Sequence, residues 1–264
     1  MNLELDGKRA LVTGSTAGIG YAIAEALARE GAHVIVNGRT EKRVEQAIQS
    51  IRSRYPQAKV EGLAADLGNA DGIRVAAKRF PDVDILVNNL GIFEPKPFDQ
   101  IPDEDWFRFF EVNVMSGVRL SRQYLPGMKR WNWGRIVFIS SESAVQIPAE
   151  MIHYGMTKTA QLAISRGLAE TTAGTGVTVN TVLPGPTASE GANEFVDRLA
   201  ASSKQTKAEF EDEFFRSVRP SSLLRRFAQP DEVAPLVVFL CSPLSSATNG
   251  AALRADGGVV RSIL

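Results

Sequence analysis

Tyr154 and Lys158 stand four residues apart inside an amphipathic stretch, His153 to Glu170. On a helix the two side chains would project from one face, about 6 Å apart at Cβ. A cation beside a phenol favours phenolate, so the tyrosine is expected to titrate below its ordinary value of about 10. It could then give or take a proton near neutral pH, as general acid–base chemistry requires. Many ordinary helices carry Tyr and Lys at this spacing, so the surrounding elements must decide what the pair is for.

The first of those elements is a strand over Arg9–Val12 that runs into Thr13-Gly14-Ser15-Thr16-Ala17-Gly18-Ile19-Gly20. Ala22, Ile23, Ala26, Leu27 and Ala28 follow at helical spacing until Gly31. A glycine turn between strand and helix lets the backbone approach a diphosphate, whose charge meets the free amides of the helix start. The spacing is Gly-x-x-x-Gly-x-Gly, not the Gly-x-Gly-x-x-Gly of the standard dinucleotide fingerprint. A second strand, His33–Asn37, precedes a helix from about Glu41 to Arg52. Its end carries Gly38-Arg39 where dinucleotide sites usually place an acid. An uncharged residue followed by a guanidinium suits a 2′-phosphate, so Arg39 points to NADP over NAD.

Further strands are expected near Lys59–Ala64, ending at Asp66, and at Asp84–Val87, ending in Asn88-Asn89-Leu90-Gly91. Strands at Arg135–Ile139, running into Ser140 to Ser143, and at Val177–Val182, stopping at Leu183-Pro184-Gly185-Pro186-Thr187, continue the pattern. Short β-branched runs separated by helical stretches predict an α/β fold, a doubly wound parallel sheet covered on both faces. Ligands of such sheets gather at the carboxyl ends of the strands, where these polar residues fall. One long helix is expected from about Asp103 to Met128, with Asn113 amid apolar neighbours, as a structural bond or a site residue. A helix over Asp231–Leu240 and a last strand near Ala252–Arg254 complete the chain. Periodicity weakens from about 188 to 229, where Phe195, Phe210, Phe214 and Phe215 sit among charges, a composition suited to a lid.

The chain has 264 residues, 30 basic and 30 acidic, with the basic residues scattered; one domain over 1–264 is expected and a nucleic-acid partner is not. The single cysteine, Cys241, fits a reducing compartment and a buried small hydrophobe. Neither a targeting pattern nor a membrane-length apolar run is present, so a cytoplasmic protein without membrane contact is expected. No group of His, Cys and acids has ligand spacing, so no metal is expected. His153 should face away from the pair as a structural or wall residue, and His33 should lie at the surface.

Taken in order, Thr13-Gly14-x-x-x-Gly18-Ile19-Gly20, Asp66, Asn88-Asn89-x-Gly91, Asn113, Ser141, Tyr154-x-x-x-Lys158 and Pro184-Gly185 resemble the short-chain dehydrogenase/reductase superfamily over nearly the whole chain. The resemblance implies a Rossmann fold, hydride transfer between NADP(H) and a carbonyl or secondary alcohol, and a homotetramer. It implies that Gly14, Ser15, Thr16, Gly18, Ile19 and Gly20 hold the diphosphate, Asp66 the adenine edge, and Asn89 with Gly91 the floor beside the adenosine and ribose. Tyr154 would be the acid or base, Ser141 would orient the substrate oxygen, Lys158 would bind the nicotinamide ribose and lower the tyrosine pKa, and Asn113 would keep a relay water. Pro184, Gly185 and Thr187 would flank the carboxamide. Ser141 is preferred to Ser143 because it precedes Tyr154 by thirteen positions. Leu90 departs from the small residue usual there. Phe93, Gln146, Ile147, Met151 and the aromatic lid suggest an amphipathic or mostly apolar carbonyl substrate, such as a 3-oxoacyl thioester. An NAD-linked alcohol dehydrogenase and a non-catalytic dinucleotide sensor are the other readings.

Overall fold

The structure, a computed structural model, describes residues 2–188 and 206–263. Seven strands form a parallel sheet in the order β3-β2-β1-β4-β5-β6-β7. They are β1 (Arg9–Val12), β2 (His33–Gly38), β3 (Val60–Ala64), β4 (Ile85–Asn88), β5 (Gly134–Ile139), β6 (Val177–Pro184) and β7 (Ala252–Ala255). The first half of the chain winds from β1 outward to β3. The second half returns to pair β4 against β1, with Ala10 opposite Ile85. Loops therefore diverge at the carboxyl ends of β1 and β4 and leave a crevice there, as reversal of strand order requires.

Alternation along β1 explains the layers. Ala10 and Val12 enter a core shared with α1 (Gly18–Arg29), α2 (Glu41–Arg54) and the helix Pro230–Cys241, whereas Leu11 enters the opposite core. That second core is covered by α3 (Ala70–Arg79), α5 (Ser116–Arg130) and α6 (Ile152–Glu170). β5 and β6 are both buried throughout: Ile136 to Ile139 read as one continuous apolar run, whereas in β6 the buried polar residues Thr178 and Asn180 alternate with Val177 and Val179. Local signals set the helix starts: Thr40 caps α2, Asn69 caps α3, and Gln229 and Glu232 form a reciprocal box at the start of the helix Pro230–Cys241.

One expectation is corrected here. The long helix is not continuous: α4 (Asp103–Phe110) passes through a π-helical turn at Glu111–Met115 before α5 begins. Near the C-terminus Val259 and Val260 are buried against their own chain, and Asp256 accepts the Val260 amide. The expected lid is described only in part. From 206 onward it holds the helix Lys207–Glu213 and a π-helical turn at Phe214–Val218; Phe195 lies outside the described residues. Within β5 the Arg135 guanidinium is fully buried, donates to the carbonyls of Gly134, Gly176 and Ser242, and lies 4.7 Å from the Trp133 ring centre. None of the described helices is long and apolar enough to cross a membrane.

Candidate active site

The turn after β1 is held by side chains from β2 and β4. Gly14 and Gly18 have φ of 59° and 58°, the left-handed region that favours glycine. Asn37 accepts the Gly14 amide at 3.0 Å and donates to the carbonyls of Leu63 and Ala65, so it fastens the turn to β3. The Thr13 hydroxyl oxygen accepts the amides of Asn89 and Leu90, and the Asn89 carboxamide donates to the carbonyls of Thr13 and Gly14. A Cβ on Gly20 would lie 2.4 Å from both Asn89 Nδ2 and the Gly14 carbonyl oxygen, so the helix start can sit this close only as glycine. Ala17 offers no side-chain cap and the first turn of α1 has no acid, which leaves the leading amides to a ligand. Gly18, Ile19 and Gly20 line a cavity of about 800 Å³. This cradle fits a dinucleotide diphosphate.

Ser15 departs from its expected role. It is fully buried, its amide donates to Asn37 O, and its hydroxyl donates to Val12 O while accepting the Asn37 amide. Ser15 therefore shapes the turn and has no donor left for the cleft. Asp66, exposed at the end of β3, accepts the Gly68 amide with one oxygen. Arg39 is exposed at the end of β2. A Cβ on Gly38 would come within 2.5 Å of Thr16 Cγ2, so any side chain at that position would have to displace Thr16. Leu90 packs toward the turn, with Cδ1 3.4 Å from a Cβ built on Gly14.

Across the same cavity stand Ser141, from the end of β5, and Tyr154 and Lys158, from the first turns of α6. The Lys158 ammonium lies 5.6 Å from the Tyr154 ring centre, so the pair shares a face as the spacing predicts. Its effect on the phenol is not the expected one. Tyr154 is pushed up, not down, first by burial and then by the nearby Glu142 carboxylate, with the Ser141 hydroxyl acting in the other direction. Burial also pushes the Lys158 ammonium down to about 8. Its hydrogens go to the Ile139 carbonyl at 3.0 Å and the Gln161 side chain at 3.4 Å. Spacing speaks only for the charge of the lysine; the fold also buries both groups, and burial acts first on each.

Asn113 reaches this centre through the π-helical turn. Its side chain accepts the Ile92 amide and donates to Ile92 O and the Thr157 hydroxyl, while its own carbonyl accepts from Gln161 Nε2 at 2.6 Å. Gln161 thus joins Lys158 to Asn113, and sequence reasoning missed it; its place one helical turn beyond Lys158 was the available signal. Pro184, Gly185 and Thr187 line the cavity from the end of β6, and a Cβ on Gly185 would strike the Asp256 carbonyl at 2.4 Å.

The outer wall is mixed. Phe93, Met151, Phe210 and Phe214 line it, and Phe93 meets Tyr154 edge to face at 6.4 Å. Gln146 and Ile147 are exposed and outside the lining, and Phe215 is buried behind it. Three charged residues were not foreseen there: Glu142, Glu150 and Arg219. Arg219 donates to both carboxylates at 3.1 Å, and Glu142 also accepts the Ser141 hydroxyl. His153 faces away from the cavity as expected, buried between the rings of Trp106 and Phe109, where burial pushes its pKa down. His33 is partly exposed beside Glu61. Cys241 is buried, its thiol pushed up to about 12. Among the described residues no group of His, Cys and acids could hold a metal ion.

An uncapped helix start and a Tyr–Lys pair facing one cleft of a parallel sheet define a dinucleotide-dependent oxidoreductase. Comparison with known proteins gives the family. A family model described as Enoyl-(Acyl carrier protein) reductase matches residues 14–260. The chain is 54% identical to "Uncharacterized oxidoreductase YvaG" of Bacillus subtilis over the full length of both. It is 34% identical to the 3-oxoacyl-(acyl-carrier-protein) reductase FabG of Aquifex aeolicus, covering 98% of this chain and 100% of that one. The crystal structure of L-sorbose reductase from Gluconobacter frateurii, complexed with NADPH and L-sorbose, matches with a TM-score of 0.91 and 32% identity over all of both chains. The chain belongs to the short-chain dehydrogenase/reductase family and is an oxidoreductase that moves a hydride between a nicotinamide cofactor and a C=O or CH–OH carbon.

Proposed function

We propose that the protein is an NADPH-dependent carbonyl reductase with Tyr154 as proton donor. The observation that carries this reading is that Tyr154, still holding its proton, opens onto the same cavity as the uncapped start of α1. The nicotinamide supplies the hydride when bound. The chain's own groups do the rest. Tyr154 gives its proton to the substrate oxygen, and the Ser141 hydroxyl steadies the charge that builds there. Lys158 holds the nicotinamide ribose and keeps a positive charge beside the phenol. Asn113 and Gln161 fix the lysine and the Ile92 backbone, the amides of Gly18 to Gly20 hold the diphosphate, Asp66 holds the adenine edge, and Pro184, Gly185 and Thr187 flank the carboxamide.

Arg39 grips the 2′-phosphate; the crowding of Gly38 by Thr16, and the NADPH carried by the L-sorbose reductase relative, support NADP over NAD. The chain acts as a single domain, with Phe210 and Phe214 of the described part of the expected lid, from 206 onward, walling the substrate side of the cavity. Exposed Phe107 and Phe110 on α4 support self-association through the long helices, as the expected homotetramer requires, and the single, buried cysteine fits a cytoplasmic location.

The test is Tyr154→Phe, with cofactor binding followed by fluorescence quenching and turnover by NADPH absorbance over a panel of carbonyl compounds. NADPH affinity should stay within about twofold while turnover falls about a thousandfold, the usual contribution of a positioned acid. A variant that keeps near-normal turnover would remove the proton-donor role. Wild-type binding without turnover would mark a sensor. Arg39→Ala should weaken NADPH about tenfold or more and leave NADH nearly unchanged; equal losses would point to an NAD-linked dehydrogenase.

A further inference from the structure

The Glu142 carboxylate lies where a bare ketone could make no use of it. It follows Ser141 directly, and its two oxygens have different partners. Oε2 accepts the Ser141 hydroxyl at 2.5 Å and Oε1 accepts Arg219 Nε at 3.1 Å. Glu142 is 5% exposed and Arg219 7%, yet both line the cavity that holds Tyr154. A hydroxyl has one hydrogen to donate. While Glu142 holds it, Ser141 has none for a carbonyl oxygen. Arg219 meets Glu142 through Nε at Oε1, while its Nη1 serves Glu150 and the Val218 carbonyl. Reduction also builds negative charge on the substrate oxygen, and an anion beside it opposes that charge unless something neutralises the near oxygen.

We infer that Glu142 accepts a hydrogen bond from a hydroxyl on the carbon next to the substrate carbonyl, so that the substrates are α-hydroxyketones and the products vicinal diols. The inference rests on the carbonyl-reductase reading above. Binding exchanges one donor for another. The substrate hydroxyl satisfies Oε2, and the Ser141 hydrogen turns to the carbonyl oxygen, to which Tyr154 supplies a second donor. Hydride adds to the carbonyl carbon, the π pair moves to oxygen, and the Tyr154 proton closes the new alcohol. A ketone lacking the hydroxyl keeps Ser141 tied to Glu142 and is reduced with one donor instead of two. Glu150, on the same guanidinium but nearer solvent, extends the row of acceptors along the wall toward the outer hydroxyls of a longer ketose.

The experiment compares ketones in which a methyl group replaces the hydroxyl: acetoin against methyl isopropyl ketone, and dihydroxyacetone against diethyl ketone. NADPH oxidation is followed with wild type and Glu142→Gln. In the wild type, kcat/KM should favour each hydroxyketone by about tenfold or more, the discrimination a site built for a hydroxyl exerts against its absence. In Glu142→Gln, whose amide no longer draws the Ser141 hydrogen as a carboxylate does, the ratio should fall toward unity. A wild-type ratio near one, or a high ratio that Glu142→Gln leaves unchanged, overturns the assignment. A wild-type ratio near one overturns the assignment whether or not Glu142→Gln folds, and NADPH quenching reports whether that variant is folded. If no ketone is turned over with either cofactor although NADPH binds, the reductase reading fails and the inference with it.

Discussion

A phenol that keeps its proton is prepared to give it away. Burial and Glu142 hold Tyr154 above its ordinary range, so carbonyl reduction should run at a constant rate through neutral pH, while alcohol oxidation, which needs phenolate, should rise toward alkaline pH. Rate profiles in both directions with one substrate pair would check this, and an oxidation rate already flat at neutral pH would contradict it. Lys158 carries a matching cost. Its folded value of about 8 lies below the ordinary 10.5, so burial disfavours the charged form in the folded protein alone. The penalty is full below about 8 and lifts as the pH rises from there to 10.5, where the unfolded chain binds the proton that the folded chain lacks. Lys158→Met should abolish turnover yet unfold at a higher temperature than wild type near neutral pH, with the gap narrowing above about 8. Melting curves across that range, with the variant less stable at every pH, would refute the burial cost. The pairing of Tyr154 with Lys158 was legible in their spacing. Their acidities were not, because these depend on burial and on Glu142, which another element contributes.

At the scale of elements, the β1–α1 turn is a joint effort of three strands. Gly38→Asp, the change that would give β2 the acid of an NAD site, drives a Cβ to 2.5 Å from Thr16 Cγ2 and 3.2 Å from Val44 Cγ2. It should cost about 1–3 kcal/mol by overpacking, part of it recovered by adding Thr16→Ala, which removes the clashing methyl. Urea unfolding of the single and double variants measures this; a single variant as stable as wild type would show that the turn yields easily. Strand positions were readable because each is a short apolar run that ends in polar residues or glycine. The break between α4 and α5 was not, because a π-helical turn uses the same residue types as an α-helix and is set by what Asn113 must reach: Ile92 and Thr157. The inward turn of Ser15 was hidden for a similar reason. Its partner, Asn37, is 22 positions away and reads as an ordinary strand residue.

For the whole molecule, Arg135 joins parts that the sequence keeps far apart. One buried guanidinium serves carbonyls at the start of β5, before β6 and after the helix Pro230–Cys241. Arg135→Met would fill much the same space but strand three carbonyls, and should lower unfolding free energy by about 2–4 kcal/mol while folded protein binds NADPH as before. Chemical denaturation together with a cofactor titration would test both halves; loss of cofactor affinity without loss of stability would assign Arg135 a different role. The uniform direction of the seven strands has a kinetic consequence. β1, made first, has β4 as one neighbour, so Ala10 must wait for Ile85 before that edge is closed. No hairpin seeds the sheet, and every strand pairing must first meet the entropy of a long loop. Refolding from denaturant should therefore be slow for the chain's size, with bare strand edges exposed on the way, the state in which such a chain most needs dilution or a chaperone.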